Sequence, residues 1–79
     1  MEMMVVIPIE TYRAMLVKCD STRAEYALLK NGVVIRNGEG NEEVEILCDA
    51  AGAKGMMDFA ATECPEMIPF IRVISNPRA

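Results

Sequence analysis

The sequence predicts an α+β domain, a ferredoxin-like βαββαβ two-layer sandwich, and three observations carry that expectation. The apolar residues of this 79-residue chain fall into six runs, with periods in the order strand, helix, strand, strand, helix, strand. Both helical runs are amphipathic, so each has one face to bury against a sheet. A Gly- and Asn-rich cluster separates the two middle strand-like runs, where the split βαβ pattern places a hairpin.

Met3-Met4-Val5-Val6-Ile7 is the first strand, closed by Pro8, which has no N–H to give to a ladder. From Ile9 to Lys30, the residues Tyr12, Met15, Cys19, Thr22, Tyr26 and Leu29 recur at spacings of three and four, the signature of one helical face. Asp20-Ser21-Thr22 interrupts this run with side chains that compete for backbone hydrogen bonds, and Thr22-Arg23-Ala24-Glu25 fits a capping box, so a broken helix is the alternative. The stripe continues across the interruption and favours a single helix. Asn31-Gly32 supplies residue types that tolerate a left-handed C-terminal cap.

Val33-Val34-Ile35-Arg36 and Glu42 to Cys48 are the hairpin strands, joined through Asn37-Gly38-Glu39-Gly40-Asn41, a loop long enough to expect a bulge or a mobile tip. In the second strand Val44, Ile46 and Cys48 alternate with Glu43, Glu45 and Leu47, giving an apolar face and a mainly acidic one. Asp49 stands in N-cap position for a helix from Ala50 to Cys64, with either Ala53, Met56, Ala60 and Cys64 or Met57, Phe59 and Ala60 as its inner stripe and Pro65 as its stop. Gly52 and Gly55 lower its helicity and call for a reason, either close approach of helix to sheet or an amide cradle for an anion. Pro69 opens the last strand, Phe70 to Ile74. The domain is expected over residues 1–75, with 76–79 a frayed tail.

A competing architecture is a helix-mediated dimer with a small antiparallel sheet, because the long stripe also fits heptad a and d positions. Size favours some form of association. A domain this short buries only about 60% of its unfolded surface, and a second copy is a ready source of additional burial. Tyr12, Met15, Cys19, Tyr26 and Leu29 are therefore the candidate interface residues of a homodimer or of a complex with another protein.

The formal charge of −4 is unevenly distributed. Residues 1–38 hold four acidic and five basic side chains, a balance of +1; residues 39–79 hold eight acidic and three basic, a balance of −5. The acidic half, and the absence of aromatic residues on the central strands, exclude nucleic acid as an expected partner. Glu39, Glu42, Glu43 and Glu45 form a candidate acidic surface able to block a basic region of another protein, although charged edge strands are also an ordinary defence against aggregation. With no histidine in the chain, imidazole-based triads and metal sites are excluded, and no Walker or dinucleotide-binding motif is present. No catalytic residue, cofactor or metal is expected. Cys48 is the one thiol with a chemical argument, at a helix N-terminus where the dipole favours thiolate, and a thiol-based enzyme or sulfur carrier using it is the third reading; adjacent Asp49 and the alternation with Val44 and Ile46 favour an inert, inward-facing residue. Three cysteines without a close pair, and no spanning or leader-like segment, fit a reduced cytoplasmic protein.

The opening Val6-Ile7-Pro8-Ile9-Glu10-Thr11-Tyr12-Arg13-Ala14-Met15-Leu16 resembles the starts of small uncharacterised proteins of bacteria and their prophages, in which an I-x-I-E-x-Y entry leads into an amphipathic helix. This resemblance covers the first third of the chain and implies no activity or functional residue.

Overall fold

The first apolar run becomes the middle of a sheet because both of its faces are apolar: Met4, Val5, Val6 and Ile7 are all buried. A computed structural model describes residues 2–19, 21–40 and 42–75. Its elements are β1 (Glu2–Pro8), α1 (Ile9–Lys18), α2 (Ser21–Asn31), β2 (Val33–Asn37), β3 (Glu43–Asp49), α3 (Ala50–Glu63), a 3-10 turn (Pro65–Phe70) and β4 (Arg72–Ser75). The strands form one four-stranded sheet in the order β2-β3-β1-β4, antiparallel at every pairing. The predicted tail 76–79 lies outside the described residues.

Register decides which side chains meet the helices. Val5 stands opposite Ile46, and Ile7 opposite Val44, so these residues share one sheet face. They form the core with Met15 of α1, Leu28 of α2, and Ala53, Met56 and Ala60 of α3, closed by Cys64 and Ile71. Burial of such side chains at about 1.5–3 kcal/mol each is the main favourable term in a domain of this size. Of the two inner stripes that spacing allows for α3, the fold buries Ala53, Met56, Ala60 and Cys64, while Met57 and Phe59 are only partly buried.

The single helix expected from Ile9 to Lys30 is instead two. Cys19 adopts extended backbone (φ −98°, ψ 163°) after α1, while its N–H still donates to the Met15 carbonyl at 3.0 Å. Extended backbone at one residue resets the helical phase, so α2 buries Ala24 and Leu28 rather than Thr22, Tyr26 and Leu29. Asp20, one of the three interrupting residues, lies outside the described set; α2 begins at Ser21, ahead of the Thr22–Glu25 box. The predicted stripe was continuous in sequence but is not continuous in space.

Gly32 also departs from expectation, since it is not left-handed. Its role is proximity: a Cβ there would lie 2.6 Å from Ile46 Cγ2 and 2.7 Å from the Leu47 carbonyl oxygen, so only glycine lets the chain leave α2 this close to β3. Positive φ falls instead in the hairpin, at Gly38, Gly40 and Glu42. The expected irregularity is a bulge within β2, where register shifts between Val34 and Arg36 and leaves Ile35 as the extra residue. The hairpin is anchored as well as bent. The Glu42 carbonyl accepts the Ile9 N–H at 2.8 Å, capping α1, whose preceding residue Pro8 has no side chain able to do so.

Asp49 caps α3 as predicted, its Oδ1 accepting the Gly52 N–H at 2.7 Å, an interaction of about 1 kcal/mol. The same bond engages the amide that an anion cradle at Gly52 would use. The glycines of α3 exist for close approach, though to a helix end and not mainly to the sheet: a Cβ on Gly52 would lie 2.1 Å from the Asn31 carbonyl oxygen, and one on Gly55 2.4 Å from Asn31 Oδ1. Asn31 in turn donates to the Ala27 carbonyl at 2.7 Å, fixing the last turn of α2. At the other end of α3, Pro69 and Phe70 belong to the 3-10 turn, so the last strand starts at Arg72, later than its β-rich composition suggests.

Candidate interaction surface

Two of the five predicted interface residues reach the surface together. Tyr26 is 67% exposed and Leu29 56%, one helical turn apart on the outer side of α2, and Val33 at the start of β2 extends the strip with 65% exposure. Leu29, Val33 and Leu47 line a common groove of about 550 Å³, whose walls also include the polar residues Lys30, Asn31 and Asp49. Side chains this large and this exposed, adjoining a shallow groove, form an apolar surface without intramolecular cover. Polar residues flank it, with Glu25 and Lys30 exposed on α2.

Of the other three predicted contacts, Met15 and Tyr12 face the core and Cys19 stands at the end of α1. Met15 is 1% exposed and belongs to the core. It is not available to a partner, because the break at Cys19 turns the α1 part of the stripe onto the sheet. Tyr12 is half-buried against the same core, and its phenol is pushed above its ordinary range by burial and then by the nearby charge of Glu25. Cys19 is half-buried. Val33 and Leu47 were not singled out from sequence; the available signal was the unbroken Gly32-Val33-Val34-Ile35 run, which exceeds what one buried strand face uses.

The sheet face opposite the helices carries Glu43 and Glu45, two of the four predicted acidic residues, but not as a block of negative charge. Arg72 of β4 reaches Glu43 of β3 at 2.7 Å, and Arg36 of β2 reaches Glu45 at 3.4 Å. Because β1 lies between β4 and β3, the Arg72 side chain must cross it, and Val6, its cross-strand neighbour, is buried there. Two of the four expected acids are therefore matched by arginine. Glu39 and Glu42 remain exposed beside the hairpin tip, a weaker lure for a basic partner than four carboxylates in a row.

Cys48 is buried, with its Sγ 3.8 Å from the Met3 carbonyl oxygen. Burial first, and the Asp49 charge second, push its thiol above the ordinary range, which disfavours the nucleophilic thiolate. Labelling of Cys48 by a thiol reagent at neutral pH is expected to be slower in the folded protein than in the urea-unfolded chain; mass spectrometry of the labelled peptide checks this, and equal rates would contradict it. Among the described residues, no three His, Cys, Asp or Glu side chains are grouped to hold a metal ion, and no helix is long and apolar enough to cross a membrane.

The fold and this surface define the protein as a small α+β domain. Comparison with protein-family models, with curated proteins and with solved structures returns no match.

Proposed function

We propose that this protein is an interaction or regulatory module that works as a homodimer, with Tyr26, Leu29 and Val33 forming the seam. The observation that supports this reading is the exposed apolar strip on α2 and β2, which the chain's own core leaves uncovered. A two-fold contact requires only that a patch accept its own image, and an uncharged strip of one phenol and two aliphatic side chains meets that condition. Tyr26 adds a large, rigid contact whose hydroxyl can stay at the wet rim. The architecture is in our reading a variant of the ferredoxin-like sandwich, in which the first crossover helix is split into α1 and α2 and a 3-10 turn precedes the last strand.

The seam has a chemical address in Lys30, which adjoins Leu29. Amine cross-linking of the protein at micromolar concentration is expected to yield peptides joined Lys30 to Lys30, a link that can arise only between two copies. Links between copies confined to Lys18 or Lys54 would place the contact elsewhere.

A further inference from the structure

Cys19 and Cys64 are far apart in sequence and yet occupy equivalent places in the fold. Cys19 is the C-cap of α1 and Cys64 the C-cap of α3, and each N–H donates to the carbonyl four residues back, at 3.0 Å to Met15 and 2.8 Å to Ala60. Two ion pairs hold these chain reversals against each other: Lys18 with Glu66, and Arg23 with Glu63. Cys19 lies between Lys18 and Arg23 in the chain, and Cys64 between Glu63 and Glu66. The two cysteines are therefore flanked in the chain by the partners of the same two ion pairs. Cys64 is fully buried beneath the junction and Cys19 is half-buried at it, whereas Cys48 lies on the strand side, against Met3. Their proximity is also felt electrostatically, since the Cys64 thiol is pushed up by burial first and by Cys19 next.

We propose that Cys19 and Cys64 are a redox pair that closes into an intramolecular disulfide, fastening the α1–α2 junction to the α3–3-10 junction. The oxidant is a low-molecular-weight disulfide of the glutathione class. Cys19, the accessible thiol, gives up its proton, and its thiolate attacks one sulfur of the small disulfide, forming a mixed disulfide and expelling the first small thiolate. Cys64 then loses its proton and attacks the Cys19 sulfur, and the second small thiolate departs. Two protein thiols are oxidised to one S–S bond, the small disulfide is reduced to two thiols, and the two protons pass to the departing sulfurs. Burial of Cys64 suits it to this second role alone, because it cannot meet a bulky reagent first.

The consequence is a lock on the least regular part of the helical layer. A cross-link spanning the chain from Cys19 to Cys64 restricts the unfolded state and raises Tm by roughly 10 °C. The full chain incubated with glutathione disulfide at neutral pH and digested with trypsin without reduction tests the pairing. The expected product joins Cys19–Arg23 to Gly55–Arg72 through one disulfide, leaves the Cys48 peptide Asn37–Lys54 as a free thiol, and melts at the higher temperature; reduction reverses both changes. Cys19→Ser and Cys64→Ala should each abolish the linked peptide and the Tm rise. A glutathione adduct that persists on Cys19, a Cys19–Cys19 link between copies, a link involving Cys48, or no oxidation would each overturn the proposal.

Discussion

Replacing Gly52 by alanine is expected to destabilise the protein by about 2 kcal/mol or more, despite the better helix propensity of alanine, because the new Cβ would sit 2.1 Å from the Asn31 carbonyl oxygen. That oxygen belongs to backbone at the end of α2 and cannot move without shifting the helix. Gly55→Ala meets only the Asn31 side-chain amide, at 2.4 Å, which can rotate away if it releases its bond to Ala27. The two substitutions are therefore distinguishable in a double-mutant cycle with Asn31→Ala. Removal of the Asn31 side chain should relieve Gly55→Ala and leave Gly52→Ala as damaging as before. Urea unfolding followed by circular dichroism supplies the free energies. A Gly52→Ala variant as stable as the parent would show that α2 and α3 do not meet where described. In a domain whose total stability is about 5–15 kcal/mol, such a loss is large.

The second large effect concerns association. Leu29→Glu is expected to weaken self-association by about 100-fold or more, since a dimer would bury two carboxylates in its apolar seam with no partner for either. The monomer should tolerate the change, because Leu29 is already mostly exposed and contributes little to the core. A fall in measured mass with an unchanged unfolding midpoint extrapolated to low protein concentration separates a lost seam from a damaged fold. Equal weakening by Leu28→Ala without loss of helicity would argue against the assignment, because Leu28 faces the core and not the strip.

Local patterns made much of this fold readable. Asp49 as a cap and the glycine-rich hairpin each depend on residues within one turn or one strand of each other, so spacing alone identifies them, whereas for α3 spacing narrows the inner stripe to two and the sheet selects one. The split of the first helix was harder to see. Its stripe keeps the same spacing across Cys19, and only the sheet beneath decides that Met15 and Leu28 go inward while Tyr26 and Leu29 do not. The same holds for the glycines of α3, whose reason lies at Asn31, and for Gly32, which yields to β3 instead of turning left-handed. The β-rich composition after Pro69 suggested a strand two residues too early, because a 3-10 turn leaves no periodic trace over six residues. Pairing of Glu43 and Glu45 with arginines depends on strand order and register, which no short motif encodes. For the surface, Tyr26 and Leu29 were legible as large apolar side chains on a helix, and Val33 and Leu47 entered only once the groove brought them beside Leu29.

Sedimentation equilibrium of the unmodified protein across micromolar concentrations, at low and at high salt, bears most directly on the proposed seam. Association through Tyr26, Leu29 and Val33 predicts a species of twice the 8.7 kDa chain mass that persists as ionic strength rises, because apolar contact is not screened. A mass of one chain at every concentration, or a dimer that salt dissolves, would contradict it.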